Sequence, residues 1–159
     1  MDDKSILILG CGNTLFGDDG FGPAVVECLL KSHDLPADVL AMDVGTSVRE
    51  ILFDLLLSET KPRRIIVLDA VEHAGRQPGE IFEIDVDDIS PEKIADFSLH
   101  QFPTVNMLKE LQDHFPIEVT ILVAQVQDLP EEVRPGFSPA MEKAVTQACL
   151  RLKKMLGSE

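Results

Sequence analysis

The sequence predicts an α/β three-layer sandwich: a mostly parallel, twisted sheet of about five strands, with helices on both faces and one antiparallel edge strand. Three observations carry this reading. Short, almost wholly apolar runs recur along the chain, as strands buried on both faces require. Between them, apolar residues recur at helical spacing. The two patterns alternate rather than group, which is the signature of helices crossing over a parallel sheet.

The elements follow in order. Residues 5–9 (Ser-Ile-Leu-Ile-Leu) form an apolar run closed by Gly10-Cys11-Gly12-Asn13, a buried strand ending in turn residues. Phe21, Val25 and Leu29 mark a helix over 19–32, with Pro23 near its start, where a helix tolerates proline. Residues 38–43 read as a second strand, closed by Val44-Gly45-Thr46. Ser47 with Glu50 has the spacing of a capping box for a helix over 47–57. Residues 64–69 hold Ile65-Ile66-Val67-Leu68, a third buried strand ending on Asp69. Gln77-Pro78-Gly79-Glu80 is a turn, and 81–86 alternates apolar and acidic residues, as an edge strand with one wet face does. Ser90-Pro91-Glu92 starts a short helical piece, and Phe102-Pro103 starts a longer helix to about 115. A last strand spans 117–124, and Ser138-Pro139 opens a C-terminal helix to about 156. With no internal repeat or linker, residues 1–159 read as a single domain.

Composition excludes several classes. Twenty-eight acidic against 14 basic side chains leave a formal charge of −14, which argues against nucleic acid and against an anionic membrane surface. No apolar run approaches the ~18 residues of a bilayer span. The N-terminus lacks the basic and long apolar regions of a secretory signal. Cys11, Cys28 and Cys149 are widely spaced with no CxxC pair, so neither a disulfide framework nor a Cys-rich zinc site is expected. The expectation is a cytoplasmic protein.

In open α/β sheets, ligands bind beyond the carboxyl ends of the strands. Three such ends carry chemistry here: 13–19, 43–46 and Asp69. Gly10-Cys11-Gly12 invites a dinucleotide reading, with Asp43 as the ribose acid. Leu15 stands where the third fingerprint glycine belongs, and Asp18 and Asp19 would repel a pyrophosphate. A cation fits the loop better. One of the two acids can cap the helix that follows, leaving the other for the cleft. Asp69, directly after four aliphatic residues, is a site candidate rather than a turn former. For an imidazole, His100 and His73 are rivals, whereas His33 and His114 lie at predicted helix ends, where cations suit the dipole. Two carboxylates and one imidazole make a sparse site with open positions, suited to Ni, Zn, Mn or Fe(II). Cys11 reads as packing rather than as a nucleophile.

The segment from Gly10 to Gly22 (Gly-Cys-Gly-Asn-Thr-Leu-Phe-Gly-Asp-Asp-Gly-Phe-Gly) resembles the N-terminal signature of the nickel–iron hydrogenase maturation endopeptidases. Asp43-Val44-Gly45-Thr46 is similar to the family's second loop, with Val44 where glycine is usual. Asp69-Ala70, Pro78-Gly79-Glu80 and Leu99-His100 follow in family order, so the resemblance covers nearly the whole chain. His100-Gln101-Phe102-Pro103 resembles the subgroup serving archaeal deazaflavin-reducing hydrogenases.

The resemblance implies that Asp19, Asp69 and His100 contact metal and carry catalysis. Asn13, Asp18, Gly45 and Thr46 would then form the substrate loops. It implies as partner a hydrogenase large-subunit precursor whose C-terminal extension is removed after nickel insertion. The nickel would arrive with the precursor, and no organic cofactor is expected. The alternatives are a non-catalytic nickel or maturation chaperone using the same ligands and, with less support, a nucleotide-binding module.

Overall fold

The computed structural model describes residues 4–88 and 102–157. Five strands form one sheet: β1 (Ile6–Cys11), β2 (Val39–Gly45), β3 (Arg64–Val71), β4 (Ile81–Ile84) and β5 (Glu118–Gln125). Their order is β2-β1-β3-β5-β4. All neighbours are parallel except β4, which runs antiparallel against β5 at the edge. The helices are α1 (Phe21–Lys31), α2 (Val48–Leu57), α3 (Phe102–His114) and α4 (Pro139–Gly157).

Successive strand residues face opposite sides of a sheet, and both sides of this one are covered. Ile6, Ile8, Ile66, Leu68 and Leu122 pack with Phe21, Val25 and Leu29 of α1 and with Met141, Ala144 and Leu152 of α4. Leu7, Leu9, Ile65, Val67 and Ile121 pack on the other side with Val48, Leu52 and Leu55 of α2 and Leu108 and Leu111 of α3. Each fully buried Leu or Ile contributes about 1.5–3 kcal/mol. The continuous apolar runs in the sequence follow from this double coverage. No helix among the described residues is long and apolar enough to cross a membrane.

Four expectations change in detail. β3 does not end on Asp69 but continues to Val71, because its ladder with β5 runs on through Val71 opposite Gln125. The edge strand stops at Ile84, and Val86 is buried at the start of a 3-10 turn, Val86–Asp88. Helix α1 begins at Phe21, preceded by a 3-10 turn over Gly17–Gly20. Ser47 precedes α2 as expected but makes no side-chain cap. Its backbone (φ −101°, ψ 19°) is not extended, and its N–H closes a turn onto the Val44 carbonyl at 2.7 Å. The helical piece expected at 90–92 lies outside the described residues.

Strand β1 has β2 on one side and β3 on the other. The chain leaves β1 through α1 on one face and returns from β2 through α2 on the opposite face. That reversal opens a crevice at the carboxyl ends of β1 and β3.

Candidate active site

Two glycines bring the loop after β1 and the start of α1 into that crevice. Gly12 adopts φ +136°, and a Cβ there would lie 2.0 Å from the Asp19 carbonyl oxygen. At Gly22 a Cβ would meet the backbone of Cys11 and the Leu68 carbonyl, all within 2.7 Å. Helix α1 therefore rests directly on the ends of β1 and β3, which no larger residue at 22 permits. This is the physical content of the glycine pattern between 10 and 22.

Asp19 is the third residue of the 3-10 turn and is 6 % exposed. Its Oδ2 accepts the Asn13 backbone N–H at 3.0 Å. Its Oδ1 is buried with no hydrogen-bond partner among the described residues. A buried carboxylate oxygen left without a donor costs at least about 1–3 kcal/mol, and such atoms mark strain held for a function or an absent ion. Asp69, 4 % exposed, projects from β3 opposite Val123 of β5, and its Oδ1 accepts the Ala70 N–H at 2.8 Å.

Both acids act on one atom. Burial first, and then the charges of Asp69, Asp43 and Asp19, push the Cys11 thiol well above its ordinary value. Charges on all three segments therefore reach Cys11. A thiol held protonated in this way is no nucleophile at neutral pH.

Asp18 has a different occupation. Its Oδ1 accepts the Ser138 N–H at 2.8 Å, and its Oδ2 accepts the Ser138 hydroxyl at 2.8 Å and the Gln127 N–H at 2.9 Å. Asp18, expected in a substrate loop, instead ties the 3-10 turn to the start of α4 and to the segment after β5, and neither acid caps α1 through its side chain. Ser138 and Gln127 were not legible as its partners, since no local pattern links positions so far apart in the chain.

The second loop is laced to the first. The Gly12 N–H donates to the Gly45 carbonyl at 3.0 Å, and the Gly45 N–H donates to Asp43 Oδ1 at 2.9 Å. Gly45 adopts φ +54°, a left-handed conformation that favours glycine. Val44 is buried among Val48 and Leu52, so its side chain faces the core rather than the crevice. Thr46 is exposed, and the Asn13 side chain closes its own loop by accepting the Leu15 N–H at 3.0 Å.

Of the predicted site residues, Asp19 and Asp69 share with Asp43 this electrostatic influence on Cys11. His100 lies outside the described residues. Among the described residues no three His, Cys, Asp or Glu side chains are grouped closely enough to hold a metal ion. His73 therefore completes no such group, and its ring packs against Phe82, 5.9 Å between centroids. His33 follows the end of α1, and His114 lies in the last turn of α3.

Comparison with known proteins identifies the family. The sequence profile of the hydrogenase maturation protease family matches residues 23–154. A Methanocaldococcus jannaschii protein provisionally named a hydrogenase maturation protease is 40% identical over 149 residues, covering 93% of this chain and 94% of its own. The coenzyme F420 hydrogenase subunit delta of Methanothermobacter thermautotrophicus is 33% identical, covering 98% and 96%. The solved structure of the hydrogenase maturating endopeptidase HybD from E. coli superposes with a TM-score of 0.71 at 27% identity, covering 96% of this chain and 92% of that one. The chain belongs to the hydrogenase maturation protease family, whose members are peptide hydrolases.

Proposed function

We propose that this protein removes the C-terminal extension of a nickel–iron hydrogenase large-subunit precursor once nickel has been inserted. In this reading Asp19, Asp69 and His100 contact the precursor's nickel. The observation that carries it is the buried Asp19 Oδ1, which has no donor among the described residues, with Asp69 near enough for the charges of both acids to reach the Cys11 thiol. Carboxylate oxygens are suitable ligands for a borderline divalent ion, and a site this sparse leaves positions for ligands that arrive with the substrate.

The chemistry divides between substrate and enzyme. The precursor brings its metal already bound, and the enzyme's acids dock on that metal, which lays one peptide bond along the crevice. Hydrolysis adds water across the bond, hydroxyl to the carbonyl carbon and proton to the departing amine. Neither a serine elbow nor an ionised Cys11 is needed. Nickel-free precursor lacks the contact that positions the bond, so only finished precursors are cut. The Asn13, Gly45 and Thr46 loops flank the crevice and belong to substrate binding, while Asp18 holds the turn that carries Asp19. We place the reaction in the cytoplasm; Cys11, Cys28 and Cys149 are free thiols, in keeping with a reducing compartment.

The test is the intact mass of a nickel-loaded precursor after incubation with wild type, Asp19→Asn and His100→Ala. Loss of one C-terminal peptide with wild type alone supports the proposal. Equal cleavage of nickel-free precursor sinks the gating by metal. Complex formation at unchanged mass favours a chaperone instead.

A further inference from the structure

A groove of about 640 Å³ runs along α1 from the loop after β1, and neither Asp19 nor Asp69 lines it. Its walls are mainly apolar: Pro23 and Leu30 of α1 on one side, Phe137 from the segment before α4 on the other. Leu30 is 50 % exposed, a large aliphatic side chain left in the open. On the rim, Glu27 and Lys31 form an ion pair at 2.7 Å and cancel each other's charge. The volume lies within the roughly 300–1,000 Å³ of pockets that bury ligands.

The groove reaches the two loops assigned to the substrate under the proposed function. It is lined at one end by Thr14 and Asp43. Thr14 follows Asn13, whose N–H holds Asp19, and Asp43 holds the Gly45 turn that is bonded to Gly12. A chain lying in the groove would therefore abut the loops that carry Asn13 and Gly45. A second copy of this protein is a poor occupant, since each copy carries a net charge of −14. The free edge of β4 is a poor seat by comparison. It lies two strands beyond β3 in the sheet order, and Glu83 on that strand faces Arg151 of α4 at 3.9 Å.

We propose that this groove binds the stretch of precursor adjoining the cut bond, and that Leu30, Pro23 and Phe137 select a large apolar side chain in it. The inference rests on the proposed endopeptidase function and adds to it where the substrate lies and which side chain it presents. Leu30→Gln removes apolar wall at a half-exposed position, and Ala24→Phe fills the groove from the same helix.

Both variants are to be compared with wild type in cleavage of nickel-loaded precursor, with Glu83→Lys/Asp85→Lys as the control on β4. Expected is a rise in KM of about tenfold or more for each groove variant, with kcat and thermal stability near wild type and the β4 variant unchanged. Wild-type KM in both groove variants, or a raised KM in the β4 variant alone, overturns the groove while leaving the endopeptidase function standing. No cleavage or binding by wild type overturns both.

Discussion

Asp18 and Ser138, on opposite sides of the chain's midpoint, are joined twice: the Ser138 N–H donates to Oδ1 and its hydroxyl donates to Oδ2, each at 2.8 Å. A third donor, the Gln127 N–H, reaches the same carboxylate at 2.9 Å. Among the described residues the neighbouring acid, Asp19, has one donor on Oδ2 and none on Oδ1. Two adjacent residues of one type thus differ: one carboxylate is taken up in holding the fold, and the other keeps a buried oxygen without a donor among the described residues.

Asp18→Ala strands two backbone N–H groups and a hydroxyl in a half-buried setting. Hydrogen bonds to a charged acceptor contribute about 1.5–3 kcal/mol each, and the three share one side chain, so the loss is about 3 kcal/mol or more. Urea unfolding measures it. A loss below about 1 kcal/mol refutes the bracing role.

Asp19→Asn is expected to behave in the opposite way. Removing a buried charge that has an unsatisfied oxygen leaves the melting temperature unchanged or raised. Cleavage falls by at least about 100-fold, the upper range for disturbing even the outer partners of a metal site. Calorimetry beside a cleavage assay separates the two effects. Full activity in this variant rules out Asp19 as a site residue.

Gly12→Ala combines a φ of +136° with a Cβ 2.0 Å from the Asp19 carbonyl. The turn cannot keep its shape, and a loss of about 3 kcal/mol or failure to fold is expected. Soluble yield and urea unfolding decide it. Gly75→Ala is the control, since its φ is also positive but nothing lies within 4 Å of a Cβ there.

Two buried thiols with raised pKa, Cys11 and Cys149, make the stability pH-dependent, and Cys149 gives the testable share. Burial first, and then the Cys28 thiol, push its pKa up to about 12 from an ordinary 9. A raised folded-state pKa means that the stability is fully present below pH 9. It is lost as the pH climbs from 9 toward 12, because the unfolded thiol ionises first. The slope for one thiol approaches about 1.4 kcal/mol per pH unit. The chain has no Tyr to titrate in the same range. Melting temperatures between pH 8 and 10 should fall in wild type and fall less in Cys149→Ala. Parallel curves refute the assignment.

The strands and helices were legible because a sheet covered on both faces needs uninterrupted apolar runs, and these stand out in any window. Limits that depend on a partner's register were not. Asp69 reads as a strand end because it is charged, yet β5 pairs with β3 beyond it. Ser47 and Glu50 match a capping pattern whose bond does not form, since the Ser47 backbone is already committed to a turn. At the site, Asp19 just after β1 and Asp43 and Asp69 near the carboxyl ends of β2 and β3 all bear on the Cys11 thiol, as their positions in a parallel sheet lead one to expect. The division of labour between Asp18 and Asp19 did not, because it is settled by Gln127 and Ser138, more than a hundred residues away in sequence. His100 lies outside the described residues.

Asp69 is mounted on a strand hydrogen-bonded to β5 on one flank, whereas Asp19 rides on a short 3-10 turn. Ladder amides in a sheet centre exchange with solvent only when the whole molecule opens, while a single turn loosens at much lower free energy. The turn that carries Asp19 is buried and is held by the bonds of Asp18 to Ser138 and Gln127, so its rigidity is borrowed from the far end of the chain rather than from the sheet. Loosening the start of α4 would therefore free Asp19 while leaving Asp69 fixed in its ladder.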